Sequence, residues 1–291
     1  MDVHLIDGTY ELFRHHFAVP SHITSEGVEV AAARAVLGSL VRLIEEGATH
    51  IGIATDHTIR SFRNDLFDGY KTGEGTPPEL FTQFALLEEI LDAAGFVVFP
   101  MIEFEADDAL ASAACISAQD HKVERVLICS PDKDLAQCVT ADGKVVQFDR
   151  RQKLVYDRAG VIEKFGVPPE VVPDWLALVG DSADGIPGLS GWGAKSSSTL
   201  LARYGSIEDI PINSDAWDVE VRSAIKLAET LSSNQKKALL YKSLTRLRTD
   251  VPVMKNIDEL LWVSPKDRFY DLCTQIDAIK LFEKLTNLSR K

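Results

Sequence analysis

Val126-Leu127-Ile128-Cys129-Ser130-Pro131-Asp132-Lys133-Asp134 is an apolar run that stops in a proline turn carrying two carboxylates. Four consecutive apolar residues bounded by a turn signal predict a strand buried on both faces, the kind that parallel sheets contain. The same grammar recurs through the first half of the chain. Residues 3–6 are followed by Asp7, residues 50–54 by Asp56, and residues 96–99 by Glu105, Asp107 and Asp108. Residues 145–148 predict a further strand. Between these runs the period changes to that of helices. Residues 30–46 carry Val36, Leu37, Leu40, Val41 and Ile44 and stop at Gly47, residues 79–94 carry Leu86, Leu87, Ile90 and Leu91, and residues 107–118 are rich in alanine. Alternating strand and helix is the pattern of an α/β fold, a mostly parallel sheet covered by helices.

Residues 67–78 break the pattern. Gly69, Gly73, Gly75 and two prolines predict a mobile loop there. From Val171 onward no strand pattern persists, and residues 175–179, 194–204, 219–231 and 267–284 all predict helices. The chain therefore divides into a sheet-containing part, 1–170, and a helical part, 171–291.

Composition narrows the class. With 291 residues, 45% hydrophobic and 26% charged, this is ordinary globular material, neither disordered nor collagen-like. Cys115, Cys129, Cys138 and Cys273 include no C-x-x-C pair, and most sit beside apolar residues, so they predict buried free thiols of a reducing compartment. The start, Met1-Asp2-Val3-His4, shows no signal peptide, and no run approaches a bilayer span. The expected location is therefore the cytoplasm. The net charge of −13 is unevenly spread: residues 1–184 hold 31 acidic against 15 basic residues, and residues 185–291 hold 13 against 16. An acidic half that binds divalent cations and a mildly basic half that touches phosphate would give this asymmetry; a solvated acidic surface would give it too.

The acids are informative because of where they fall. In an open parallel sheet, ligands bind outside the carboxyl ends of the strands. Asp7, Asp56, the group Glu105, Asp107 and Asp108, and the pair Asp132 and Asp134 fall at successive strand ends, and Asp181 and Asp184 close the helix at 175–179. Any one of them reads equally well as a helix N-cap. Together they predict one cleft whose mutual repulsion calls for cations. Oxygen-only ligands suit Mg²⁺ or Mn²⁺ rather than zinc, and two-metal phosphoryl hydrolysis is the chemistry such a cluster serves.

The stretch from Gly180 to Lys195 is punctuated by Gly185, Gly188, Gly191 and Gly193, with Pro187 between them, and runs into a helix. Tight glycine turns followed by a helix N-terminus, with Lys195 beside it, form a device for gripping phosphate without reading sequence. An ordinary helix–helix turn is the plain alternative to this helix-hairpin-helix reading.

These residues resemble the 5′-nuclease (flap endonuclease) family, in particular the bacterial 5′→3′ exonuclease that forms part of DNA polymerase I or stands alone. The matching pieces run in family order: Asp7-Gly8 with Leu12 and Arg14; Asp56 with Ser61-Phe62-Arg63 and Tyr70-Lys71; Glu105-Ala106-Asp107-Asp108; Asp132-Lys133-Asp134-Leu135; and Gly180-Asp181 with Asp184, Pro187-Gly188, Gly191, Gly193 and Lys195. The resemblance implies a PIN-like α/β domain, a helical arch near residues 67–78 and a helix-three-turn-helix duplex clamp. It implies Mg²⁺-dependent hydrolysis of DNA near 5′ ends, flaps and junctions, independent of sequence, by a monomer that touches no membrane. Carried over residue by residue, Asp7, Asp56, Glu105, Asp107, Asp108 and Asp132 would surround a first Mg²⁺, and Asp132, Asp134, Asp181 and Asp184 a second, with Mn²⁺ as a substitute. Lys71 and Arg14 would meet the scissile phosphate, Tyr70 would stack on a base, and Arg63, Gly191, Gly193 and Lys195 would contact DNA. The family's K⁺ site in the hairpin maps onto the backbone carbonyls of Leu178, Val179, Pro187, Leu189 and Trp192. Three positions depart from the family pattern: Glu74 stands where relatives carry a basic residue, Thr55 precedes Asp56 in place of an apolar residue, and Phe104 replaces a tyrosine before Glu105. With no polymerase sequence following, a stand-alone version is expected. Rival readings are a haloacid-dehalogenase-type phosphatase, for which Thr9 stands where a second aspartate is needed, a non-catalytic structure-specific DNA-binding protein, and a simple PIN-type ribonuclease.

Overall fold

The apolar runs form the strands expected of them, each one or two residues longer than the run itself. The computed structural model describes residues 1–290. In chain order its strands and helices are β1 (Asp2–Asp7), α1 (Gly8–His16), α2 (Ala31–Glu45), β2 (His50–Asp56), α3 (Arg63–Leu66), α4 (Pro78–Ala93), β3 (Val97–Met101), α5 (Ala106–Gln119), β4 (Arg125–Cys129), β5 (Val145–Asp149), β6 (Leu154–Tyr156), α6 (Arg158–Phe165), α7 (Val172–Val179), α8 (Ala194–Tyr204), α9 (Ala224–Thr245), α10 (Phe269–Gln275) and α11 (Ile279–Leu288). The chain folds as two compact units. One comprises Met1–Ser61, Gly73–Ser130 and the segment from Arg248 on; the other comprises Phe62–Thr72 and Pro131–Leu247.

In the first unit four strands run parallel in the order β3-β2-β1-β4. Val3 lies opposite both His50 and Val126, and Gly52 opposite Val97, so the strands end together at one edge. The strand β2 and most of β1 and β4 are buried on both faces, as the unbroken apolar runs require, whereas the edge strand β3 buries only Phe99. Val36, Leu37 and Leu40 of α2 and Leu87, Ile90 and Leu91 of α4 complete the core. The alanines of α5 (Ala109, Ala113, Ala114) are buried as well, and their small side chains let that helix approach the sheet closely. The C-terminal segment returns to this unit: the Trp262 N–H donates to the Thr49 carbonyl at 2.8 Å and its indole N–H to the Ala94 carbonyl at 2.9 Å.

In the second unit β5 and β6 form an antiparallel hairpin with Gln147 opposite Tyr156. Helices α6 to α9 bury Phe165, Leu176, Leu178, Leu200, Leu201, Leu227, Leu231 and Leu244 in a common core. One buried ion pair belongs to it: Lys242 lies 2.8 Å from Asp174, which also accepts from the Ile207 N–H at 2.9 Å.

Several expectations are corrected. The helix expected at 219–231 begins at Ala224 and runs on to Thr245 with a kink at Asn234, whose φ of −125° is non-helical. There the Asn234 side chain donates to the Thr230 carbonyl at 2.9 Å, a local bond that competes with the helical ladder. The helix expected at 267–284 is two helices, broken at Asp277, where φ is +55°. Residues 67–77 contain neither helix nor strand, as the glycines and prolines predict, so the arch implied by resemblance is not helical here. Of the cysteines, all free, Cys129 and Cys273 are buried while Cys115 is exposed. No described helix is long and apolar enough to cross a membrane.

Candidate active site

The acids of the first unit stand where parallel strands and following helices put them. Asp7, the last residue of β1, caps α1: its Oδ1 accepts from the Tyr10 N–H and its Oδ2 from the Ser130 hydroxyl, both at 2.8 Å. Asp56, the last residue of β2, accepts from the Ala106 N–H at 2.8 Å, and its own N–H donates to Thr9 Oγ1 at 2.8 Å. Glu105 is the N-cap of α5 and accepts from the Ser61 hydroxyl at 2.8 Å. Asp108 is fully buried and accepts from the backbone N–H groups of Glu105 (3.1 Å) and Arg248 (2.8 Å). The capping role that competes with a functional one is therefore real for Asp7, Glu105 and Asp108. Asp107, on the first turn of α5, is partly exposed.

In the second unit, Asp134, Asp181 and Asp184 each place a carboxylate oxygen within 4.8 Å of the others, and all three are buried. A pair of mutual N–H···O bonds between Asp181 and Ile186, both 2.7 Å, closes the loop that presents Asp181 and Asp184. Asp181 Oδ1 also accepts from the Ala183 N–H at 3.0 Å. Two ammonium groups sit against this cluster: Lys133 Nζ is 2.8 Å from Asp181 Oδ2, and Lys71 Nζ is 2.9 Å from Asp184 Oδ1. Asp134 Oδ1 is buried without a hydrogen-bond partner. Burial pushes the Asp134 carboxyl well above the usual carboxylate range, and the charges of Asp132, Asp184 and Asp181 add to the shift while Lys71 opposes it. Asp132 keeps an exposed face, yet protein surrounds much of its carboxyl. That desolvation leads a rise in its pKa, which the Asp134 N–H at 2.9 Å partly opposes.

Such a cluster suits a hard divalent cation. Its donors are all oxygens, they crowd one another, and a buried carboxylate oxygen lacks a partner that a cation would provide. Mg²⁺ or Mn²⁺ fits this donor set.

The cations expected to meet phosphate are tethered. The Lys71 N–H donates to the Asp184 carbonyl at 3.0 Å, and Asn64 Nδ2 donates to the Lys71 carbonyl at 3.0 Å, so the backbone at Lys71 is held on both sides. Arg14 pairs with Glu11 one turn earlier on α1. Gly185 makes the approach of Lys71 possible. Its φ is +75°, and a Cβ there would lie 2.1 Å from the Gly69 carbonyl oxygen. Gly185→Ala is expected to push the 69–71 segment off the acid loop, destabilising the protein by about 2 kcal/mol and slowing turnover; thermal unfolding and cleavage rates check both.

Two expected DNA contacts are corrected. Arg63 is 1% exposed, with its guanidinium donating to the carbonyls of Leu244 (2.7 Å) and Arg246 (3.2 Å) at the end of α9. A buried guanidinium that closes a helix C-terminus does not reach a phosphate. Tyr70 is 3% exposed and its ring belongs to the core of this unit, so it offers no stacking face. Burial wins over both roles: Arg63, on the short α3, and Tyr70, in the turn that follows it, both point inward.

The hairpin has the geometry its glycines require. Gly188 has φ +67°, and a Cβ there would lie 2.6 Å from the Gly180 nitrogen and 2.7 Å from the Leu178 oxygen. Pro187 and Gly188 are thereby brought against Leu178 and Val179. The Leu178 carbonyl accepts from the Leu189 N–H at 2.9 Å, and that of Leu189 from the Trp192 N–H at 3.0 Å. Trp192 is buried, whereas Gly191, Gly193 and Lys195 are exposed at the start of α8, where Gly193 is the N-cap. Lys133, Asn64 and Gln147 were not expected at the site. Gln147 is fully buried on β5 and donates its side-chain N–H to the Asp132 carbonyl. A lone polar residue inside the run 145–148 was the available signal for Gln147, and the place of Lys133 between two aspartates was the signal for that residue. Asn64 had none.

Comparison with known proteins agrees with this geometry. The family described as "5′-3′ exonuclease, N-terminal resolvase-like domain" matches residues 2–166, and "5′-3′ exonuclease, C-terminal SAM fold" matches residues 167–268. A 5′-3′ exonuclease of Aquifex aeolicus is 34% identical over 291 residues, covering 99% of this chain and 92% of that protein. DNA polymerase I of Bacillus caldotenax is 34% identical over 265 residues, and there the match covers 89% of this chain and 29% of the relative. The chain thus spans under a third of the polymerase relatives it matches. Among solved structures, the T5 D15 protein co-crystallised with metal ions superposes with a TM-score of 0.67 at 19% identity, covering 99% of this chain and 100% of that one. The catalytic core of Rad2 in complex with DNA substrate gives 0.63 at 17% identity, covering 98% and 91%. At those identities the likeness is one of fold. Matched along nearly its whole length by a relative of similar size, with its acids at the strand ends and helix starts, the chain belongs to the 5′-3′ exonuclease family.

Proposed function

We propose that this chain is a Mg²⁺-dependent nuclease that hydrolyses DNA phosphodiesters near 5′ ends and at flaps and junctions, as a monomer in the cytoplasm. The observation that carries the reading is the buried trio Asp134, Asp181 and Asp184, crowded within 4.8 Å, in a chain of the 5′-3′ exonuclease family. Residues 1–170 form the nuclease part and residues 171–291 the part that grips duplex.

Asp7, Asp56, Glu105, Asp107 and Asp108 would serve one divalent cation, directly or through water. Asp132, Asp134, Asp181 and Asp184 would hold the other. When bound, the two ions supply an activated water and a charge clamp on the leaving oxygen. Lys71 brings its ammonium to the phosphate under attack, oriented by the backbone bonds from Asn64 and to Asp184, and Arg14 adds a second positive charge. The exposed start of α8, with Gly191, Gly193 and Lys195, holds duplex phosphates through N–H groups and charge, which gives grip without sequence preference. K⁺ bound to the carbonyls of Leu178, Val179, Pro187, Leu189 and Trp192 would stiffen that hairpin.

Incubation with a 5′-flap DNA, a hairpin RNA and a phosphate monoester, each with Mg²⁺ and with EDTA, tests the reading. Cleavage of the flap alone, lost with EDTA, is expected. Monoester hydrolysis would overturn it in favour of a phosphatase, although Thr9, which that chemistry would need as an aspartate, is engaged with the Asp56 N–H. Glu74 supplies a further prediction. It is exposed between Gly73 and Gly75, both at positive φ, at the position where the family resemblance implies a basic residue. Glu74→Arg is expected to tighten flap-DNA binding and steepen its salt dependence by roughly one released counterion, measured by fluorescence anisotropy at several salt concentrations.

A further inference from the structure

The three crowded carboxylates of the second unit already carry two ammonium groups, and the proposed reaction employs only one of them. Lys71 belongs to the machinery. Lys133 has no task there, yet its Nζ lies 2.8 Å from Asp181 Oδ2. The two partners differ in their freedom. Asp181 is 2% exposed, its backbone is paired with Ile186 and its other oxygen accepts from Ala183, so it cannot turn away. Lys133 leaves 34% of its side chain exposed, and its four-carbon stem lets the ammonium swing out while the backbone stays in place. A fixed buried carboxylate with a movable partner is a pair that can be exchanged.

We propose that Lys133 is an internal counter-ion of the acidic site, holding Asp181 until a divalent cation arrives, then yielding to it, and thereby setting the affinity for that cation. The inference rests on the reading that Asp134, Asp181 and Asp184 hold such a cation. Two effects act in one direction. The ammonium repels an incoming cation across a few ångströms, and it stabilises the cation-free state by pairing a buried charge. Removing it weakens the empty site and favours the filled one. The lysine thus keeps the unloaded protein folded at the expense of cation affinity.

The test uses the full chain and Ca²⁺ as probe, read by titration calorimetry and by thermal unfolding with and without Ca²⁺. Lys133→Met removes the charge and keeps the stem. It is expected to bind Ca²⁺ about tenfold more tightly than the parent, as an antagonistic coupling between two ligands of one site requires. Its Ca²⁺-free unfolding temperature should be lower than the parent's and its rise on adding Ca²⁺ larger. Lys133→Arg, which keeps the charge, should behave as the parent does. If Lys133→Met does not fold, Lys133→Gln, which keeps a hydrogen-bond donor but no charge, is expected to give the same tightening. Equal or weaker Ca²⁺ binding by the uncharged variant, with binding intact in the parent, overturns the inference alone. No Ca²⁺ binding by the parent overturns the cation reading of the three carboxylates and the inference with it.

Discussion

Asp134→Asn is expected to lower flap cleavage by about a thousandfold, close to 4 kcal/mol of barrier, while raising the unfolding temperature of the metal-free protein. The two effects share one cause. Asp134 is buried among three other carboxylates, and its Oδ1 has no hydrogen-bond partner. Burial holds its pKa well above that of an unfolded aspartate, so the folded state binds the proton more tightly than the unfolded one. Stability is then fully present below the ordinary aspartate range and falls as pH rises from that range through the raised value. Above the ordinary aspartate range this buried group therefore costs the metal-free fold stability, and a neutral amide of the same shape removes the cost. On the proposed reading the same carboxylate would be a ligand of the cation, which would displace its proton. Unfolding of both proteins in EDTA across roughly pH 3–8, a window that begins below the ordinary aspartate value of about 3.9, checks the first effect. The parent should lose stability as pH rises more steeply than the variant does. Single-turnover cleavage in Mg²⁺ checks the second. A variant that cleaves at the parent's rate removes Asp134 from the chemistry.

Lys71→Ala should lower turnover by roughly a hundredfold or more, the effect of removing one well-aimed positive donor, with flap affinity changed far less. On the proposed reading its ammonium would be a single charge within a surface that grips several phosphates, so binding would have other sources, whereas charge developing at one phosphate would have few. The lysine is aimed by its backbone. The Asn64 amide donates to its carbonyl at 3.0 Å, and its N–H donates to Asp184 at 3.0 Å. Burst and steady-state kinetics separate the two quantities. A loss confined to affinity would make Lys71 a phosphate anchor and nothing more.

Much of this was legible in the amino-acid order. The parallel strands β1, β2 and β4 are apolar runs because a sheet covered on both faces buries most of their side chains, and that leaves a signal within four residues. The acids Asp7, Asp56, Asp132 and Asp134 follow those runs directly, at the carboxyl ends of strands where open α/β sheets bind ligands. The glycines at 185 and 188 announced turns because only glycine takes those φ values with backbone so near. Each of these is a local constraint, and local constraints leave local marks.

What only the tertiary structure decided are pairings between distant segments. Nothing near Arg63 in the sequence tells that its guanidinium closes the end of α9, 181 residues away at Leu244, nor that Tyr70 joins the core of the second unit. A charged side chain and an aromatic next to a lysine resemble a DNA contact until burial is known. The segment after Arg248 returns to the first unit through Trp262, and no period in the sequence carries that information. The kink at Asn234 and the break at Asp277 depend on single side-chain and backbone choices inside runs that otherwise scan as helix. Lys133 lay in plain view between two aspartates, yet its partner is Asp181. Which of several nearby carboxylates a flexible ammonium chooses is set by the fixed geometry of the loop that presents them, and that geometry exists only once the chain has folded.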